Sequence, residues 1–395
     1  MKILRIIASM DPQSGGPCQG IRNIVPALGA MGVVNEVVSL DAPDASFLGK
    51  DDFFIYPLGP ATNAWSYGNK LYPWLIENLC RFDAVIVHGL WLYHGYACRK
   101  AIQKLRKESK GVPKLYVMPH GMLDPYFQKA PERRFKAIRN WLYWKLIEQK
   151  LIHQADALLF TCEQEMLLAR ETFIPYHPAM EVNVGYGILP PPEYNPYMQQ
   201  TFLLKCAGLQ GKPYLLFLSR IHEKKGVDLL VKAYIQLVKE NKSTNMPHLV
   251  IAGPGIESSF GKAVQETVAK EAMVRDLIHF PGMLSGDAKW GAFYGCEAFV
   301  LPSHQENFGI AVVEALACGK AVLISDQINI WKEIIGQKAG LVANDTMSGV
   351  YILLEDWLNL SQDNRYFMES NSKKLYENKF NIQVTSKTFL SHIRK

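Results

Sequence analysis

The chain alternates between short apolar runs and longer segments whose apolar positions recur every three to four residues. Runs of the first kind read as strands buried on both faces. Segments of the second kind read as helices packed along one face. The series opens with a strand over 3–8, a turn at Ser14-Gly15-Gly16-Pro17, and a helix over 20–31. Strands over 33–40, 83–88, 113–118, 157–161 and 181–186 follow, with helical patterns over 93–108 and 131–154 between them. Pro190, Pro191, Pro192 and Pro196 then break the pattern, as a semi-rigid linker does. Beyond them the alternation restarts, with strands over 213–218, 248–252, 277–280, 298–301 and 321–325. Helical patterns over 227–240, 261–272, 287–295 and 329–335 lie between and after these, and the remainder from Thr346 reads as helices. Alternation of this kind predicts α/β architecture with two doubly wound parallel sheets. The expected domains are 1–190 and 191–375, with a last helix over 376–395 returning to the first.

Composition narrows the class without naming it. A chain of 395 residues is too long for one ordinary core. Hydrophobic content of 48% and charged content of 20% are those of a globular protein. No apolar run approaches the ~18 residues of a membrane-spanning helix. The N-terminus lacks the length and cleavage pattern of a signal peptide. Seven scattered cysteines without a Cys-x-x-Cys pair suit a reducing cytosol. A net charge of +6 permits an anionic substrate or membrane surface but does not demand nucleic acid.

The chemistry-bearing residues fall at the carboxyl ends of predicted strands, where open α/β sheets bind ligands. Gly15 and Gly16 let a diphosphate approach the backbone, or serve only as a turn; the segment is not Gly-x-Gly-x-x-Gly. His88-Gly89 and His120-Gly121 each end a strand, so two His-Gly pairs reach one edge. In the second half, Arg220 and Lys225 share a loop, and Glu306-Asn307-Phe308-Gly309 leads into an apolar helix carrying Glu314 and ending at Gly319. A helix start favours anionic groups, and two cations beside it point to a polyanion. Adjacent Asp51 and Asp52 form no Asp-x-Asp metal motif. The segment 131–154 mixes Arg133, Arg134, Lys136, Arg139, Lys145 and Lys150 with Trp141, Tyr143 and Trp144. It fits an ordinary amphipathic helix with a solvated basic face, or one lying in a membrane interface.

Ser219-Arg220-(x)4-Lys225-Gly226-Val-Asp228, together with Glu306-(x)7-Glu314 in the setting Leu-Pro-Ser-x-x-Glu-x-Phe-Gly, resembles the retaining glycosyltransferases of family four. The resemblance covers essentially the whole chain. It implies the GT-B fold, two Rossmann-like domains facing a donor and acceptor cleft, of the type found in polysaccharide biosynthesis. It further implies that Arg220 and Lys225 bind the donor diphosphate and that Glu306 holds sugar hydroxyls, with Asn307, Phe308 and Gly309 near sugar and phosphate. Glu314 would take the ribose hydroxyls, Met283 and Leu284 the nucleobase, Gly15 and Gly16 the diphosphate, and His120 the donor sugar. His88 is a candidate for the acceptor side. Leu218 stands where many relatives have glycine, which leaves the charged positions undisturbed. A helix running through both glutamates would set their Cα atoms ~12 Å apart. That exceeds the ~5–9.5 Å of paired glycosidase carboxyls, so they read as two separate grips on one donor.

The implied activity is metal-independent transfer of a hexose from a nucleotide-diphosphate sugar to a glycan or lipid-linked glycan. A UDP-hexose is favoured and GDP-mannose comes next. The expected location is cytoplasmic, with peripheral membrane contact through 131–154. Alternatives are a non-catalytic nucleotide-sugar-binding protein, a GT-B-fold sugar epimerase and a dinucleotide oxidoreductase. A phosphorylase is disfavoured because no lysine stands out for a pyridoxal phosphate Schiff base.

Overall fold

The computed structural model describes residues 1–130, 133–240 and 246–394. The described chain divides into two compact units, residues 1–187 with 382–395, and residues 188–381. Each unit is a wholly parallel sheet covered by helices.

The first sheet has seven strands: β1 (Lys2–Ile6), β2 (Val34–Ser39), β3 (Phe54–Pro57), β4 (Ala84–His88), β5 (Lys114–Met118), β6 (Ala157–Phe160) and β7 (Glu181–Asn183). Their spatial order is β3-β2-β1-β4-β5-β6-β7. Chain order reverses between β1 and β4, which makes that seam the topological switch point. Successive side chains point to opposite faces, and both faces are buried. Leu4, Ile6, Val85, Val87, Leu115 and Val117 pack on one face. Ile3, Ile86, Tyr116 and Met118 pack on the other, beneath Phe389, Leu390 and Ile393 of the C-terminal helix Ile382–Ile393. The chain's last helix thus completes the core of its first unit.

The second sheet has six strands: β8 (Tyr214–Leu218), β9 (His248–Ala252), β10 (Ile278–Gly282), β11 (Ala298–Leu301), β12 (Ala321–Ser325) and β13 (Gly340–Ala343). Its order, β10-β9-β8-β11-β12-β13, repeats the first pattern, with the switch point between β8 and β11. β8 to β12 fall at or within two residues of the expected positions because each is a short apolar run, whereas β13 was not expected.

Three details differ from the sequence reading. The units divide at 187/188 and 381/382. Ile188 belongs with the second because it bridges Asn381, donates its N–H to the Phe380 carbonyl and accepts from the Tyr376 hydroxyl. The helical pattern of 131–154 begins on residues outside those described; beyond them it runs as Arg134–Tyr143, a π-turn Trp144–Glu148, and Gln149–Gln154. The one-residue slip of the π-turn accompanies burial of both Trp144 and Glu148. β3, the helix Leu71–Asn78 and the helix Pro196–Lys205 carry too little periodicity to have been expected. The last residue of the expected 376–395 helix also lies outside those described.

Phe389 is 2% exposed and covers the first sheet. Phe389→Ala should cost ~3–5 kcal/mol by opening a cavity. Urea denaturation of the full chain should show an earlier transition for the first unit, with the second unit's transition unmoved.

Candidate functional site

At the switch point of the second unit, the loops leaving β8 and β11 are stitched together. The Ser303 hydroxyl and the His304 N–H both donate to the Lys224 carbonyl, at 2.9 and 2.8 Å. Gly226 has φ +65°, and a Cβ there would lie 2.0 Å from the Pro302 carbonyl oxygen. Only glycine allows that approach. Glu306 is held from the other side. Its N–H donates to the Gln327 carbonyl at 3.0 Å, and its own carbonyl accepts from the Asn329 N–H at 3.0 Å.

This frame brings Lys225 and Glu306 together. The Lys225 ammonium contacts the Glu306 carboxylate, with side-chain exposures of 9% and 25%. Burial, followed by the Lys224 and Arg220 charges, pushes the Lys225 ammonium down to about 7. The Glu306 carboxylate in contact with it acts in the opposite sense and favours the charged form. Arg220 is exposed and has no carboxylate partner among the described residues.

The helix after Glu306 spans Ile310–Ala317 and starts at Gly309, whose φ of +76° no side chain caps. It ends in paired bonds from Gly319 N–H to the Leu316 carbonyl and from Lys320 N–H to the Ala315 carbonyl, both 2.9 Å. Glu306 therefore precedes the helix, and a 1.5 Å rise per residue does not apply between it and Glu314. The two carboxylates are set apart in another way: each has its own cation. Glu314 Oε1 lies 2.6 Å from the Lys289 Nζ. Burial raises the Glu314 carboxyl and Lys289 opposes the rise. Sequence reasoning missed Lys289, which no local spacing ties to Glu314. Of the remaining candidates here, Met283 is 66% exposed, Leu284 is buried at 6%, and Phe308 packs edge-to-face on Phe380. Leu284 thus turns its side chain into the core.

In the first unit, Gly15 has φ +90°, and the position of its absent Cβ is open for 4 Å around. Gly16 begins the helix Gly16–Gly29. His88 and His120 come together, with His88 Nδ1 2.9 Å from His120 Nε2. His88 is only 4% exposed and its other ring nitrogen lies 3.3 Å from Arg5. It stands behind His120 and is withdrawn from direct contact with an acceptor. Arg5 was also missed, although a cation interrupting Ile3, Leu4, Ile6 and Ile7 was a readable signal. Beside this edge, Glu148 accepts the Trp91 N–H at 2.7 Å and pins a residue held at φ +71°. Among the described residues, no group of three or more His, Cys, Asp or Glu could hold a metal ion, and no helix is long and apolar enough to cross a membrane.

Comparison with known proteins gives the family. Residues 15–185 match the family described as glycosyl transferase 4-like domain, and residues 205–374 match glycosyl transferases group 1. Between them these matches take in most of the chain. It belongs to the glycosyltransferases. A D-inositol 3-phosphate glycosyltransferase of Gordonia bronchialis is 23% identical over 62% of this chain and 53% of its own length. The chain therefore spans about half the length of that relative. A lipopolysaccharide core biosynthesis mannosyltransferase of Rhizobium leguminosarum is 26% identical over 69% of this chain and 72% of its own. Among solved structures, Anabaena HepE in complex with UDP-glucose superposes with a TM-score of 0.74 at 12% identity, covering 100% of this chain and 99% of that one. Sucrose-phosphate synthase from Thermosynechococcus elongatus gives 0.72 at 18% identity, over 100% and 98%. These likenesses establish the GT-B fold of paired Rossmann-like domains.

Burial pushes the Glu148 carboxyl up to about 8, opposed by the Trp91 N–H and Arg99. The folded chain then binds a proton that the unfolded chain has released above ~4.3. The Glu148 contribution to stability should fall as pH rises from about 4 to about 8 and flatten beyond, against the opposite contribution of the buried histidines His88, His94 and His120, whose lowered affinity for a proton makes stability rise with pH. Glu148→Gln lacks this contribution, so the urea midpoint of the wild type relative to that variant should fall across that range.

Proposed function

We propose that this glycosyltransferase moves a hexose from a nucleotide-diphosphate sugar to a glycan or lipid-linked glycan, with retention of configuration. The observation that carries the reading is the Lys225–Glu306 pair beside exposed Arg220 at a sheet switch point. Arg220 and Lys225 take the diphosphate and neutralise the charge that develops on the leaving group. Glu306 takes sugar hydroxyls, beside Asn307, Phe308 and the helix start at Gly309. Glu314, steadied by Lys289, takes the ribose hydroxyls. The segment at Met283 and Leu284 meets the base through its backbone. The family resemblance assigns Gly15 and Gly16 to phosphate and His120 to sugar. Transfer on this reading needs no metal, because two positioned cations meet the leaving charge. A UDP-hexose is favoured as donor, with support from the UDP-glucose bound to HepE. GDP-mannose comes next, since one relative is described as a mannosyltransferase. A polysaccharide or cell-surface glycan setting follows from that relative's lipopolysaccharide description.

Arg220→Ala, Lys225→Ala and Glu306→Ala should each lower transfer by ~100- to 1,000-fold, the usual effect of deleting one preorganised contact. The assay follows sugar transfer by NMR, which also reads the anomeric configuration, with and without chelator. Near-normal rates in all three variants would overturn the reading. Tight donor binding without transfer to any acceptor would favour a binding protein.

The segment 133–154 supports a peripheral membrane contact. Phe135, Ile138, Leu142 and Leu146 are 91%, 60%, 50% and 67% exposed, and their three- and four-residue spacing aligns them on one stripe. Arg134, Lys136, Arg139, Lys145 and Lys150 accompany it, while the one acidic residue of the segment, Glu148, is buried. Such a face suits anionic lipid. The chain should float with anionic liposomes and not with neutral ones. The double variant Phe135→Asp, Leu142→Asp should stay in the dense fraction.

A further inference from the structure

Arg5, His88 and His120 form a hydrogen-bonded chain with a fixed direction. Arg5 and His88 share strand parity across the β1–β4 seam and so project to the same face of the first sheet, the one covered by Phe389, while His120 reaches His88 from the turn after β5. Arg5 is 1% exposed; its Nε donates to Asn35 Oδ1 at 3.0 Å and its Nη1 lies 3.3 Å from His88 Nε2. A guanidinium can only donate, so His88 Nε2 must present its lone pair. The His88 proton then sits on Nδ1, 2.9 Å from His120 Nε2. His120 Nε2 must in turn accept, which leaves the His120 proton on Nδ1. The strand end is steadied by His94, whose Nε2–H donates to the His88 carbonyl at 2.9 Å. The next turn is steadied by Glu165, which accepts the Gly121 N–H at 2.5 Å. Between these, His120 is held at φ +53°, a conformation that a non-glycine residue keeps only when its surroundings enforce it.

We propose that Arg5 and His88 are positioning residues that lock His120 in its Nδ1–H tautomer, so that His120 meets a sugar only as a hydrogen-bond donor and never as a base. Its one lone pair is already taken by His88. Arg5 cannot act on a sugar directly, since the cavity it shares with His88 and His120 is about 20 Å³, enough for a single water. Burial keeps both imidazoles neutral, pushing His88 well down and His120 to about 3. Arg5 is lowered only to about 9 and stays a cation near neutrality.

The part played toward a sugar rests on the function proposed above; the tautomer lock does not. The test is a two-bond proton–nitrogen correlation spectrum of the full chain labelled with ¹⁵N-histidine, near neutral pH, assigned with His88→Gln and His120→Gln. In both His88 and His120, the nitrogen coupled to the two carbon-bound ring protons, Nε2, should carry no proton. A proton there in either residue would overturn the proposal. Arg5→Met should release the lock, giving mixed tautomers at His120 and a kcat lowered by about 10- to 100-fold, as for other supporting partners of a functional group. Arg5→Lys keeps a donor and should restore the tautomer. Unchanged tautomers and rate in Arg5→Met would also refute it. Should Arg5→Met not fold, the wild-type spectrum still decides. Should no sugar transfer be found at all, the assigned function fails while the spectrum still reads the lock.

Discussion

The close approach of Gly226 to the Pro302 carbonyl is the constraint on which the second unit's chemistry depends. Any side chain at 226 would have to occupy carbonyl oxygen, and the loops leaving β8 and β11 would part. With glycine there, Ser303 and His304 reach the Lys224 carbonyl, and Lys225 is carried inward against Glu306. The contact is between residues 81 positions apart in the chain. It exists because the switch point makes β8 and β11 neighbours. A backbone constraint therefore sets an electrostatic one. Taking a lysine out of water costs several kcal/mol unless a carboxylate meets it, and the loop geometry supplies that carboxylate.

The first unit uses the same seam differently. β1 and β4 are neighbours at its switch point, and parity puts Arg5 and His88 on one face. That face is closed by a helix from the far end of the chain. The core of this unit therefore depends on residues 382–393 as much as on its own strands. Their removal would expose Arg5 along with Ile3, Ile86 and Met118. Fold and site are coupled here through one aromatic ring, Phe389, which lies 5.2 Å from the Arg5 guanidinium.

The parallel strands of the second unit were legible because strands buried on both faces must be apolar throughout, and several were bounded to the residue. The glutamates were legible because a turn and an apolar helix frame them. Three kinds of feature were not. The edge strand β3 is only four residues long, is nowhere fully buried and ends in proline, with Phe54 itself 64% exposed. The π-turn at 144–148 leaves no mark on composition. Partners set by topology, such as Lys289 for Glu314 or Arg5 for His88, have no sequence spacing to betray them. The separation of Glu306 and Glu314 was argued from a helix that starts after the first of them. What separates the two carboxylates in the structure is their two distinct cations. His88 was legible as a strand-end residue, but only side-chain geometry shows that it supports His120 from behind.

The buried and half-buried cations Lys225, Lys289 and Arg5 divide by how they are compensated, and that division separates two kinds of work. Lys225 and Lys289 each face a carboxylate. Such a pair is exchangeable: an anionic group can replace the carboxylate, and hydroxyl groups can replace the cation. Arg5 faces no carboxylate among the described residues, only Asn35, His88 and the Phe389 ring. None of these partners carries a charge near neutrality, given how far burial lowers His88. No ligand exchange is set up by that arrangement. A permanent cation among neutral acceptors does one thing well, which is to fix the direction of the hydrogen bonds that leave it. Net charge, at +6, says nothing about either role. What distinguishes the cations is the group each was buried against.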